Sequence, residues 1–225
     1  MRYFTKADLE VIAARIMAKY LSLLDEPYRV TFINPVALAE IVFGLKVDYF
    51  LYNSDSMLGF TNTGEGTMVL ELDETILEFE PKTIYINDRL LAKSQEGRHN
   101  FTVAHEIAHH AIDLLRGKYP DEYSEPDTVR EEQQADYLAS CILMPKPFMK
   151  NVLAYSRFQR IELLSMAYKP SDFQRFSKLA DRLHVSMKAL EIRLINLGYI
   201  GKSYYWTEKD TITIYPEDKE NRYAG

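Results

Sequence analysis

His105, Glu106 and His109 stand in the order H-E-x-x-H within NFTVAHEIAHHAIDLL, residues 100–115. On an α-helix, side chains four apart share a face, one turn above the other. Two imidazoles so placed can reach one Zn²⁺ at about 2.0–2.1 Å. Glu106 reaches the same face, offset from the pair, where a carboxylate can hold water on the metal. The flanking Phe101, Val103, Ala104, Ile107, Ala108, Ala111, Ile112, Leu114 and Leu115 are apolar nearly all round, which predicts a buried helix. Uncompensated imidazoles and a carboxylate in a packed interior cost several kcal/mol. A divalent cation would satisfy them, and zinc suits imidazole with carboxylate.

Two histidines do not complete such a site; a catalytic zinc takes three protein ligands and keeps one open position. In the pattern HExxHxxGxxH the third ligand is a histidine. Here Ile112 and Leu115 fill the glycine and histidine slots, so that arrangement is excluded. The alternative is a carboxylate on a following helix, and EEQQADYLASCILMP offers one. Glu132 and Asp136 lie one turn apart there, on a face shared with Ala139 and Leu143. Glu132 is the favoured third ligand, with Glu131 its main rival and His110 a lesser one. Asp136 can accept the free ring N–H of a ligating histidine, which fixes its tautomer. Against this stands the ordinary role of such charges, a solvated helix face. Asp136 sits where the helix turns apolar, a place where an unpaired acid is expensive. His110 follows His109 directly, so its side chain points about 100° away.

The elements that must position these residues are legible in pattern. Leu9, Ile12, Ile16, Tyr20 and Leu24 recur at helical spacing, and Thr5 with Asp8 forms a cap pair. A short helix runs from Pro35 to Phe43, with Gly44 past its end. KVDYFLY, MLGF, TMVLEL and KTIYIN, separated by turns such as NTGEG, read as a small, mostly antiparallel sheet over 46–87. The HExxH helix covers about 100–116. The Glu132 helix covers about 128–144, with Thr128 and Glu131 at capping-box spacing and Pro145 and Pro147 beyond its end. Two more helices flank a break at His184–Ser186, and the tail from Ser203 to Gly225 has the pattern of a hairpin. The expected organisation is α+β: a core domain over 1–150 and a C-terminal helical segment over 151–225.

The bulk composition limits the partners. The chain has 225 residues with 47% hydrophobic and 27% charged side chains, ordinary for a soluble globular protein. A net charge of -6 does not suit a molecule built to sit on nucleic acid or an anionic membrane. Cys141 is the single cysteine, which fits a reducing compartment. No run approaches the ~20 apolar residues of a membrane span. Asp8, Glu10, Arg15 and Lys19 interrupt what would be the apolar part of a signal peptide. A cytoplasmic location is expected.

With both motifs in view, NFTVAHEIAHH followed by EEQQADYLASCILMP resembles the ImmA/IrrE metallo-endopeptidases. Their pattern is an F-T-x-A-H-E-x-x-H helix, then E-x-x-A-[DN]-x-[FY]-A and a Leu-Met-Pro ending. The likeness extends to PVALAEIVFGLKVDYF, TIYIND and LADRLHVSMKALEIRLINLGYI, roughly Pro35 to Ile200. Leu138 stands where an aromatic is usual, and Ala108 replaces a common glycine. The resemblance implies a zincin-like fold, one Zn²⁺ per chain and intracellular proteolysis. Members of the family include anti-repressors that cleave helix-turn-helix transcriptional repressors. By position it makes His105, His109 and Glu132 the zinc ligands and Glu106 the catalytic acid/base. In zincin-like proteins an upstream edge strand can pair with the substrate backbone, and KTIYIN is expected to fill that part, with Tyr85 and Asn87 lining it. Arg98, His99, Tyr123 and His110 are unranked candidates for stabilising the oxyanion.

A rival reading rests on residues 173–200, which have the look of a helix-turn-helix and would make the protein a DNA-binding regulator. Lys188 and Arg193 lie on its second helix, but so does Glu191, and a DNA reader usually has a denser basic footprint. A third reading is an inactive metal-binding sensor. Glu106 speaks against it, since a structural zinc site has no use for a carboxylate placed to handle water.

Overall fold

The computed structural model describes residues 3–51, 57–72, 75–119, 128–155 and 170–199. The chain divides into two compact units, Met1–Leu143 and Met144–Gly225.

In the first unit, helix α1 (Lys6–Ser22) opens on the expected cap. The Asp8 backbone N–H donates to Thr5 Oγ1, and the Thr5 N–H donates to the Asp8 carboxylate. Its buried stripe is Leu9, Ile12, Ile16 and Tyr20, the spacing read from sequence. Helix α2 (Pro35–Leu38) is capped by Asn34 and runs on as a single π turn, Ala39–Phe43. It ends at Gly44, whose φ of 67° lies in the left-handed region that glycine enters without penalty.

The strands are β1 (Lys46–Phe50), β2 (Gly59–Asn62), β3 (Met68–Leu72), β4 (Thr75–Phe79) and β5 (Thr83–Asn87). β3 and β4 form an antiparallel hairpin. The other three form one sheet in the order β1-β5-β2. β5 pairs in parallel with β1 and antiparallel with β2. β4 was not among the strands read from sequence. The expected edge strand is also corrected: β5, which carries Tyr85 and Asn87, is the middle strand, with a neighbour on each side. The edge beside the HExxH helix is β2.

The two faces of this sheet do different things. Phe60 stacks on Tyr85 with ring centroids 5.2 Å apart, and Phe79 meets both edge-on, so one face closes over an aromatic cluster. Gly59, Thr61, Ile84 and Ile86 alternate onto the other face. A Cβ on Gly59 would lie 2.9 Å from Thr102 Cγ2 and 3.1 Å from Ile86 Cδ1. Glycine therefore lets β2 approach the HExxH helix closely.

That helix, α3 (Glu96–Lys118), starts earlier than expected. Val103, Ala104, Ile107 and Ala108 are fully enclosed, but burial ends at Ile112 and Leu114 is 54% exposed. The expectation of a helix buried all round holds only for its middle turns. Helix α4 (Thr128–Leu143) packs against α3 and α1. Tyr137 of α4 donates to Glu10 of α1 at 3.1 Å. Thr128, the first described residue of α4, is already helical rather than ahead of the helix.

The second unit contains α5 (Lys146–Tyr155), α6 (Pro170–Leu183) and α7 (Met187–Asn196). His184 makes the expected break with φ of 53°, and Ser186 caps α7 through the Ala189 N–H. The proposed tail hairpin lies outside the described residues. Among the described residues no helix is long and apolar enough to cross a membrane.

Candidate metal centre and its cleft

One helical turn of α3 and the first half of α4 bring three donors together. His105 Nε2 lies 3.0 Å from His109 Nε2 and 3.2 Å from Glu132 Oε2. Glu132 Oε1 lies 3.4 Å from His109 Nε2. A tetrahedral zinc with bonds of about 2.0–2.1 Å holds its ligand atoms about 3.3 Å apart. The two imidazoles lie near that spacing, each has one Glu132 oxygen within 3.4 Å, and one ligand atom from each residue can be chosen with all three within 4.8 Å of one another. Two neutral imidazoles and a carboxylate are the donor types zinc takes, and among the described residues they form the one cluster of this kind.

The side chains around the triad orient it. His105 Nδ1 meets Asp136 Oδ1 at 2.9 Å. With the proton on Nδ1, the lone pair of Nε2 faces the other two donors. Burial works to lower the His105 pKa and is the largest single influence. The Asp136 hydrogen bond and the charges of Glu106, Asp136 and Glu132 together outweigh it, so the pKa is raised. Glu132 and Asp136 are 53% and 60% exposed. That corrects the expectation that Asp136 sits where an unpaired acid is costly: both acids stand at the mouth of a cleft.

Glu106 is only 8% exposed. Burial pushes its pKa up, against the Thr61 hydrogen bond and the nearby imidazoles, which pull it down. Thr61 Oγ1, on β2, donates to Glu106 Oε2 at 2.9 Å. Sequence reading missed Thr61. In GFTN it reads as an ordinary strand threonine, and nothing local marks it.

These groups line a cleft of about 590 Å³. Its walls include Leu58 just ahead of β2, Gly59 to Thr61 from β2, Phe101 from α3, and His110 and Asp113 beyond the histidine pair. Burial lowers the pKa of His110 and raises that of Asp113.

The rival ligands are engaged elsewhere. Glu131 lies 3.4 Å from Arg116, and His110 packs edge-on against Phe43 with centroids 5.6 Å apart. Tyr85 and Asn87 do not line the cleft, which corrects their expected part in substrate binding. The Tyr85 hydroxyl accepts from the Glu80 N–H, and buried Asn87 donates to the Met57 carbonyl at 3.1 Å. Of the oxyanion candidates, His110 lines the cleft, while His99 stacks on Tyr49, whose hydroxyl lies 3.2 Å from His99 Nε2. Arg98 is not among the lining residues, and Tyr123 lies outside the described residues.

In the second unit, Arg193 is fully buried and its Nε donates to the Met144 carbonyl at 2.8 Å. Lys188 pairs with Glu191 at 2.9 Å.

The family model Peptidase_M78, the IrrE N-terminal-like domain, matches residues 60–195. No curated protein matches the chain. Among solved structures, the chain is similar to a Mycobacterium tuberculosis transcriptional regulator, at 16% identity and a TM-score of 0.48, over 85% of this chain. The chain spans 47% of the length of that protein.

Proposed function

The chain belongs to the Peptidase_M78 family, as its IrrE N-terminal-like domain shows, and from that premise we propose that it is a zinc-dependent endopeptidase acting on an intracellular protein. The observation that carries this reading is one cleft holding two imidazoles and a carboxylate close enough to share one ion, with a buried carboxylate beside them.

His105, His109 and Glu132 would hold the zinc. When bound, it supplies Lewis acidity and lowers the pKa of water toward ~7. Glu106 takes a proton from the attacking water as its oxygen bonds to the peptide carbonyl carbon. The same carboxyl then delivers that proton to the departing nitrogen as the C–N bond breaks. In the metal-free protein burial raises the Glu106 pKa, the direction that brings a carboxyl's gain and loss of a proton closer to neutral pH. Among the described residues β2 is an edge strand of the sheet with no partner on its outer side, and it borders the cleft, so an extended substrate can add to it as a further strand.

The substrate class follows from the family resemblance: a helix-turn-helix transcriptional repressor, which would make the protein an anti-repressor. Direct DNA binding through α7 is not favoured, since Arg193 is enclosed and Lys188 is paired. The test is to incubate the zinc-loaded protein with helix-turn-helix repressors from its own genome and identify fragments by mass spectrometry. Glu106→Gln is expected to keep stoichiometric zinc and lose at least a hundredfold in cleavage rate. A Glu106→Gln variant as active as the wild type would sink the assignment.

A further inference from the structure

Glu106 is delivered by α3 from one side of the cleft, and Thr61 by β2 from the other. Thr61 Oγ1 lies 2.9 Å from Glu106 Oε2, and among the described residues no other side chain hydrogen-bonds this carboxylate. A glutamate has three side-chain torsions, and burial alone does not choose among its rotamers. One charge-assisted hydrogen bond from a stiff, β-branched side chain does. Gly59, two residues earlier on the same face, lets β2 come within reach, because a Cβ there would meet Thr102 and Ile86. The strand that borders the cleft is thus the strand that grips the carboxylate.

We propose that Thr61 is a positioning residue: its hydroxyl fixes the orientation of Glu106 and couples the edge strand β2 to the proton-transferring group. The catalytic consequence rests on the peptidase reading; the contact itself does not. If a peptide adds to β2, the strand it joins already holds the base, so docking and base alignment share one element. Removing the hydroxyl should leave the zinc ligands in place and let the carboxylate swing.

Two substitutions separate the hydroxyl from the shape. Thr61→Val keeps the branched volume and loses the donor, and Thr61→Ser keeps the donor. The contact is tested without any substrate by a double-mutant cycle on metal-free protein followed by thermal unfolding. Thr61→Val should lower the Tm in the wild-type background, have little effect in the Glu106→Ala background, and be largely corrected by Thr61→Ser. Equal shifts in both backgrounds would show that the hydroxyl does not act through Glu106 and would overturn the proposal.

The catalytic arm uses the peptide that the wild type cleaves best in a quenched-fluorescence library. Thr61→Val should lower kcat about tenfold or more, with KM and zinc content unchanged, and Thr61→Ser should recover most of it. A Thr61→Val kcat equal to wild type would overturn the positioning role. If the zinc-loaded wild type cleaves nothing, the peptidase reading fails, and the unfolding cycle still decides whether Thr61 holds Glu106.

Discussion

Asp136→Ala isolates the contribution of a residue that touches a proposed zinc ligand without being one. The substitution removes the 2.9 Å hydrogen bond to His105 Nδ1 and leaves His105, His109 and Glu132 intact. Outer partners of this kind change metal affinity by about 10- to 100-fold, or roughly 1.4–2.8 kcal/mol. Asp136 is 60% exposed, so solvent screens its charge and the loss should fall near the lower figure, about tenfold at pH 8. The pH dependence sharpens the test. Zinc needs His105 deprotonated, and the surrounding carboxylates hold its pKa above the ordinary value, so wild-type affinity must fall early as pH drops. Removing Asp136 leaves burial less opposed, so protons compete later in the variant. The tenfold gap should therefore narrow between pH 8 and pH 6. Competition with a chromophoric chelator measures both effects, with Glu132→Ala as the reference for a lost ligand. If Asp136→Ala binds like the wild type at every pH, the hydrogen bond does no orienting. If it weakens zinc more than Glu132→Ala does, Asp136 rather than Glu132 is the ligand.

Gly59→Ala should destabilise the protein by about 1–3 kcal/mol, because the new methyl meets the Thr102 side chain at 2.9 Å and the Tyr85 carbonyl at 3.1 Å. Urea denaturation measures this, and an unchanged midpoint would mean that β2 has room to shift. Glu106→Gln should stabilise the metal-free protein at pH 7–8 and have a diminishing effect in acid. A carboxyl whose folded pKa is raised contributes stability that is present below its unfolded value and lost as pH rises through the folded one. Parallel Tm curves for the two proteins from pH 4 to pH 8 would contradict this.

The clustered donors on α3 were legible because a helix converts sequence spacing directly into geometry. Four residues make one turn, so H-E-x-x-H states which side chains share a face before any fold is known. Glu132 was harder, since its approach depends on how α4 lies across α3. Its motif narrowed the choice, and the 3.2 and 3.4 Å separations set it apart from Glu131, which pairs with Arg116 instead. The burial expected of Asp136 failed for a related reason. Periodicity divides a helix into apolar and polar faces, but it does not show that a polar boundary opens onto a cleft.

Strand order was a different problem. KTIYIN and MLGF both read as strands, and nothing in their local composition says which one ends the sheet. Yet there was a clue. Thr83 to Asn87 are all buried, and the continuous Ile-Tyr-Ile run is what a strand covered on both faces carries. GFTN is only partly buried, as an edge strand can be. That continuity of apolar character marks β5 as the inner strand and leaves the edge to β2. The pairing then sets the face of Thr61: β2 runs antiparallel to β5 and puts Thr61 opposite Ile84, on the face turned toward α3, where its hydroxyl meets Glu106. The hydroxyl that grips the carboxylate is thus a product of pairing between segments more than twenty residues apart. The test of Thr61 is therefore also a test of whether this sheet order shapes the chemistry or only carries it.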